Sequence, residues 1–191
     1  MMPMLKADAY GHGAREIASV FRKEKLPWIG CANAAEGVQL REDGYGASIL
    51  LLSGFLQEEI EFIARQDLSL TLSNMEEARQ VQRIAAKMKR TVNAHVKIDT
   101  GMGRLGCQPE EASTLLDFVS QASHLKLEGF YSHYACADES QAFTRRQWKR
   151  FSALPSSPGV LRHICNSAGL LGIPESHLDL VRPGLLIFRK G

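Results

Sequence analysis

The sequence has no apolar run approaching the roughly 20 residues that are needed to span a bilayer. Its first residues, Met1–Met4, do not place a basic region before a long apolar stretch, so we predict neither a transmembrane helix nor a signal peptide. The net charge of +2 is too small to indicate binding to nucleic acid or to a membrane surface. These absences lead us to expect a cytoplasmic protein.

The cysteines are few and scattered, and no C-x-x-C pair occurs among Cys31, Cys107, Cys136 and Cys165. This spacing is typical of reduced thiols rather than of a disulfide framework or a zinc site. His133 and Cys136 have the spacing of half a metal site, but no matching second pair follows, and we predict no metal. Four other histidines are expected to be surface or core residues rather than ligands: His12, His95, His124 and His177.

Hydrophobic residues make up 45% of the 191-residue chain and charged residues 23%, enough for one good core. Apolar runs of strand length alternate with helical patterns, which predicts a parallel sheet. The predicted strands are Pro3–Leu5, Trp28–Ala32, Ser48–Leu52, Leu68–Leu72, Val92–Ile98, Leu127–Tyr131, Leu161–Cys165 and Leu178–Leu180.

This alternation favours an α/β fold in which a (β/α)8 TIM-type barrel forms a single domain over residues 1–188. Residues 189–191 are then a short tail. The alternative is an open doubly wound sheet, but no G-x-G-x-x-G follows a predicted strand to support it.

Polar residues cluster where the predicted strands end, and in a barrel the active site lies at those ends. The first run ends at Lys6, and a lysine in such a position can lose its proton and act as a nucleophile or base. Gly11 and Gly13 would let backbone N–H groups approach an anion. The alternative is a lysine that extends into water beside a glycine-rich turn.

The loops after the last two runs have the features of a phosphate site. Asn166 and Ser167 open a short helix, and Gly184 follows the eighth run at a point where a backbone N–H can approach a ligand closely. Such barrels usually bind phosphate in these loops. Asn166–Ser167 alone would more simply cap a helix, but together with Arg182–Gly184 they favour phosphate binding.

Several of these segments resemble one family. Lys6–Gly13, with the sequence KADAYGHG, is similar to the pyridoxal phosphate (PLP) attachment motif of bacterial alanine racemases. Thr100–Gly106, His133–Asp138, Asn166–Gly169 and Arg182–Gly184 resemble further segments of that family in the same order. The resemblance covers essentially the whole chain.

The resemblance implies that Lys6 is catalytic and forms a Schiff base with PLP, and that Tyr10, Ser167 and Gly184 hold the phosphate. It also implies that Arg182 faces the pyridine nitrogen, with His133 and His163 supporting it. The predicted cofactor-binding residues are Lys6, Tyr10, His133, His163, Asn166, Ser167, Arg182, Gly184 and Leu185.

The same resemblance implies L-alanine/D-alanine interconversion. Arg104 is expected to bind the substrate carboxylate, and Lys97 matches a lysine that is often carbamylated, although it could simply be a solvated charge at a strand end. In the family, a second base comes from a C-terminal β-domain across a homodimer. We therefore expect weak or no turnover by this chain alone, and the alternative function is a non-catalytic, single-domain PLP-binding barrel.

Overall fold

The computed structural model describes residues 1–188, and the tail predicted at 189–191 lies outside the described residues. The strands in the described part are β1 (Trp28–Cys31), β2 (Ser48–Leu51), β3 (Leu70–Leu72), β4 (Val92–Lys97), β5 (Leu125–Tyr131) and β6 (Leu161–His163). The helical segments are α1 (Lys6–Gly11), α2 (Ala14–Lys23), α3 (Ala34–Glu42), α4 (Ile60–Arg65), α5 (Met75–Met88), α6 (Ala112–Gln121), α7 (Gln141–Ser152), α8 (Ser167–Gly172) and α9 (Leu185–Phe188). Short 3-10 turns occupy Gln57–Glu59 and Pro174–Ser176.

All strand pairs are parallel, with β1 beside β2 and with β3, β4, β5 and β6 in sequential order. The two groups are joined through Ser69, whose N–H donates to Ile49 O at 2.9 Å and whose carbonyl accepts from Leu51 N at 2.9 Å. Strand residues are mostly buried and apolar, as expected where helices cover a parallel sheet.

The first and last described segments close these strands into a ring. Four backbone hydrogen bonds do this: Met2 N to Val181 O (2.9 Å), Met4 N to Pro183 O (2.9 Å), Leu5 N to Gly30 O (2.8 Å) and Arg182 N to Cys165 O (2.9 Å). Six strands and two extended segments thus form an eight-part barrel. The predicted α/β fold, a TIM-type barrel in a single domain, is confirmed.

Two of the predicted strands are wrong as regular strands. Pro3–Leu5 contributes only one isolated bridge, at Met4, because Pro3 has no N–H for a ladder. Leu178–Leu180 is not extended as a strand, since Leu178 adopts a left-handed φ of 50°. The ring closes through residues 181–183 instead.

Side-chain caps start several helices immediately after the strands. Asn33, Asn74 and Asn166 each accept a hydrogen bond from a first-turn N–H of α3, α5 and α8, at 3.0, 2.8 and 2.9 Å. Because the strands are parallel, these strand-to-helix loops lie at one end of the barrel. In the described part of the chain, the helices are all too short or too polar to cross a bilayer.

Candidate active site

A cavity of about 680 Å³ opens at the carboxyl ends of the strands. Most of the residues predicted from the sequence line it: Lys6, Tyr10, Lys97, Arg104, His133, Asn166, Ser167, Arg182, Gly184 and Leu185. His163 does not line the cavity and lies fully buried behind Arg182. Among residues 1–188, no three His, Cys, Asp or Glu side chains are grouped as a metal site would require.

Lys6 precedes a left-handed turn of an uncommon kind. Ala7 to Tyr10 have φ values of 50–56°, although none of the four is glycine. The left-handed conformation costs L-residues about 1–2 kcal/mol each, so tertiary contacts must hold it. Glu36 supplies one, because its Oε1 accepts from Ala7 N at 2.8 Å while its Oε2 accepts from Ala32 N at 2.6 Å. The sequence did not identify Glu36.

Tyr10, Ser167, Gly184 and Leu186 form what we call the anion cradle. The Ser167 hydroxyl oxygen accepts from Gly184 N at 3.0 Å and from Leu186 N at 3.2 Å. A Cβ at Gly184 would collide with the Tyr10 hydroxyl, so only glycine allows this approach. Asn166 caps α8 by itself, which leaves the Ser167 hydroxyl at the cavity.

Arg182 is only 2% exposed, and four groups fix its guanidinium. Nη1 lies 2.5 Å from His163 Nδ1, and Nη2 donates to Ser132 O at 2.6 Å and to Ile164 O at 3.1 Å. Nη2 also lies 3.3 Å from His133 Nδ1.

Burial sets the charge of each of these groups. It lowers the pKa of Arg182 to about 10, which leaves the guanidinium charged at neutral pH. Burial and the Arg182 charge lower the pKa of His133 to about 3 and that of His163 well below its ordinary value. The cation is therefore held by neutral rings and carbonyls.

Tyr131, at the end of β5, is a site residue that the sequence did not single out. Its ring is stacked on His163 with centroids 4.9 Å apart, and Arg182 Cζ lies 5.0 Å from its centroid. Lys97 Nζ lies 5.4 Å from the same ring. The Tyr131 hydroxyl is 2.9 Å from Thr71 Oγ1. This contact and the stacking on His163 fix the Tyr131 ring beside the two cations.

The loop that carries Arg104 is organised by Asp99. Its Oδ1 accepts from Gly101 N at 2.9 Å and Met102 N at 2.7 Å, and its Oδ2 accepts from Gly103 N at 2.8 Å. Three backbone donors on one carboxylate fix the path of the loop, which brings Arg104 to the cavity.

The cavity is strongly cationic. Lys6, Lys97, Arg104 and Arg182 line it in the described structure, against the single carboxylate of Asp138. Lys97 is only 3% exposed, so it is not a solvated strand-end charge. Burial, followed by the charges of Arg104 and Arg182, lowers its pKa to about 8. The arrangement suits a ligand that carries more than one anionic group.

Comparison with known proteins identifies the family of the chain. A family model described as "Alanine racemase, N-terminal domain" matches residues 1–190. The chain belongs to this family. It is similar to an alanine racemase of Carboxydothermus hydrogenoformans, with 39% identity over 98% of this chain and 52% of the relative.

Solved structures show the same likeness. An alanine racemase of Clostridium difficile 630 has a TM-score of 0.91 and 31% identity, covering all of this chain and 52% of that protein. A histidine racemase of Leuconostoc mesenteroides has a TM-score of 0.89 and 26% identity, with 98% and 52% covered. The chain thus spans about half the length of the relatives that it matches.

Proposed function

We propose that this chain is the PLP-binding barrel domain of an alanine racemase, which interconverts L-alanine and D-alanine. The observation that carries the proposal is that Lys6 and the anion cradle face one cationic cavity. Membership of the family supports the assignment of this cavity to racemisation.

The residues present fit PLP. The approach of Tyr10 to the backbone of Gly184 leaves no room for a Cβ. The Ser167 hydroxyl oxygen accepts from the Gly184 and Leu186 N–H groups, so its own O–H would donate to a phosphate. Arg182 would donate to the pyridine nitrogen, and Lys6 would be the attachment point. When bound, PLP supplies stabilisation of negative charge at the α-carbon of the substrate.

Three side chains then have separate roles. Lys6, once its amine is free, moves a proton at one face of the α-carbon. Arg104 binds the alanine carboxylate by a charge-assisted contact. Arg182 keeps its own proton, because a guanidinium with a pKa of about 10 remains charged at neutral pH.

We also propose that Lys97 is carbamylated. Its buried amine, with a pKa of about 8, is neutral far more often than that of an ordinary lysine. The neutral amine would add to CO2, forming an N–C bond and releasing one proton. The resulting anion would offset Arg104 and Arg182, whose charges face Lys97.

Turnover by this chain alone should be weak. Racemisation needs a proton donor on each face of the substrate. Tyr45 and Tyr134 are buried away from the cavity, and the Tyr131 hydroxyl is hydrogen-bonded to Thr71 Oγ1 at 2.9 Å. Tyr10 lies against Gly184 in the anion cradle. This favours, as the second candidate, a barrel that binds PLP without turnover until a homodimer or further domain supplies the second base.

Borohydride reduction of the chain with PLP, followed by peptide mass spectrometry, tests the assignment. We expect an adduct on Lys6 and none in Lys6→Arg, which keeps the charge but cannot form the bond. A chain without the adduct would refute PLP binding. Exchange of the alanine α-proton in D2O then separates the two candidates, because a barrel that only binds PLP should show no exchange. D-alanine formation at the rate of full-length relatives would contradict weak turnover.

A further inference from the structure

A row of buried polar side chains runs from the cavity into the barrel interior. Arg182 Nη1 lies 2.5 Å from His163 Nδ1, and His163 Nε2 lies 2.9 Å from His95 Nδ1. His95 Nε2 faces Glu128 Oε2 at 4.0 Å. Both histidines are 0% exposed, and β4 and β6 carry them from opposite sides of β5.

Donor and acceptor chemistry fixes the proton positions in this row. A guanidinium only donates, so His163 Nδ1 must accept and its proton must be on Nε2. That Nε2–H donates to His95 Nδ1, which must also accept, so the proton of His95 is on Nε2 as well. Each ring carries a single proton, because a second would place two donors face to face.

The far end of the row is a carboxylate. Glu128 Oε2 accepts from Ser69 Oγ at 2.6 Å, and Oε1 accepts from Lys126 Nζ at 3.3 Å. His95 Nε2 is buried and forms no hydrogen bond within the described residues, so the carboxylate 4.0 Å away is its electrostatic partner. No described carboxylate forms an ion pair with Arg182, and Glu128 lies two imidazole rings away from it.

We propose that His95 is a positioning residue for the cofactor site. It accepts the Nε2–H of His163, fixes both rings as neutral Nε2–H tautomers, and so holds the guanidinium of Arg182 in place without a contacting carboxylate. The part that concerns PLP rests on the proposed function, whereas the proton arrangement does not. Within residues 1–188, only Nη1 and Nη2 of Arg182 make protein hydrogen bonds, which leaves Nε for a ring nitrogen in the cavity.

The proton arrangement is tested on the chain without PLP. Long-range ¹H–¹⁵N correlation of protein labelled with ¹⁵N-histidine reports the tautomer and charge of each ring. We expect neutral Nε2–H tautomers for His95 and His163 at pH 7. An Nδ1–H tautomer or an imidazolium at either position would overturn the proposal.

The positioning role is tested with two substitutions and a control. His95→Gln offers an oxygen acceptor, whereas His95→Leu leaves the His163 Nε2–H unpaired. Loss of that partner should weaken PLP binding about tenfold in His95→Leu, measured by absorbance titration, and much less in His95→Gln. Val81→Ala, buried in α5, controls for lost stability and should not change PLP affinity.

The outcomes separate this proposal from the proposed function. Equal PLP affinity in the two folded His95 variants would overturn the positioning role. Failure of the wild-type chain to bind PLP would refute the proposed function and the PLP part of this proposal, and the tautomers would still decide the proton arrangement. If the variants do not fold, the tautomers of the wild-type chain still decide whether the proposed proton arrangement is correct.

Discussion

Glu36→Ala should release the turn that follows the attachment lysine. The carboxylate joins Ala7 N at 2.8 Å to Ala32 N at 2.6 Å, and each bond to a charged acceptor contributes about 1.5–3 kcal/mol. The left-handed turn costs about 1–2 kcal/mol per residue and depends on such anchors. Loss of the Ala7 bond alone should therefore raise the open population of the turn about 10- to 100-fold.

Hydrogen exchange and PLP trapping measure this effect. In Glu36→Ala, the amides of residues 7–13 should lose protection about 10- to 100-fold, and the yield of borohydride-trapped Lys6 adduct should fall. Glu77→Ala is the matched control, because Glu77 makes the same kind of bond at the start of α5: its Oε2 accepts from Ser73 N at 2.7 Å. Wild-type protection and wild-type trapping in a folded Glu36→Ala chain would refute the reasoning.

Three further results are expected. Gly184→Ala should weaken PLP binding about tenfold or more, since the new methyl group displaces the Tyr10 hydroxyl. Gly46→Ala, whose new methyl group meets no neighbour, should leave PLP binding unchanged, and titration with PLP distinguishes the two variants. Asp99→Ala should raise hydrogen exchange at residues 101–103 and leave the barrel strands protected, and unchanged exchange would contradict its role. Carbamate on Lys97, detected by ¹³C NMR in labelled bicarbonate, should increase as pH rises through about 8, because the amine loses its proton there rather than near 10.5; no signal at pH 9 would exclude it.

The barrel was predictable because the constraint on its strands is local. A parallel strand covered on both faces needs a continuous apolar run, and β1 and β2 come close to this, each with three buried residues in succession. Polar residues at strand ends then predicted the cavity, and Lys6, Arg104 and Arg182 do line it.

The two ring-closing segments were predicted less well, because their backbone partners lie at opposite ends of the chain. An apolar run at Leu178–Leu180 indicated a strand, yet the left-handed φ of Leu178 delays the extended backbone to residues 181–183. No local pattern distinguishes these two outcomes.

Other features depend on contacts between distant residues and have no local signal. Alanine disfavours the left-handed conformation, so the turn at Ala7–Tyr10 follows from its contact with Glu36, which lies 29 positions away. His95 alternates with Asn93 and Lys97 as a polar residue of β4, and its partner His163 lies 68 positions away. The sequence predicted a surface or core residue at His95; the side chain is buried, and the prediction did not reveal this contact.

The ring closure has a consequence for folding and for ligand binding. Lys6 follows the first extended segment, and Gly184 follows the last one, which pairs with it. A ligand that touches both residues would therefore link the two segments that close the barrel. Such a ligand binds only the closed barrel and stabilises it by mass action. On heating, the first and last segments should therefore separate before the rest of the barrel unfolds. A bound ligand should suppress this separation more strongly than any other unfolding step.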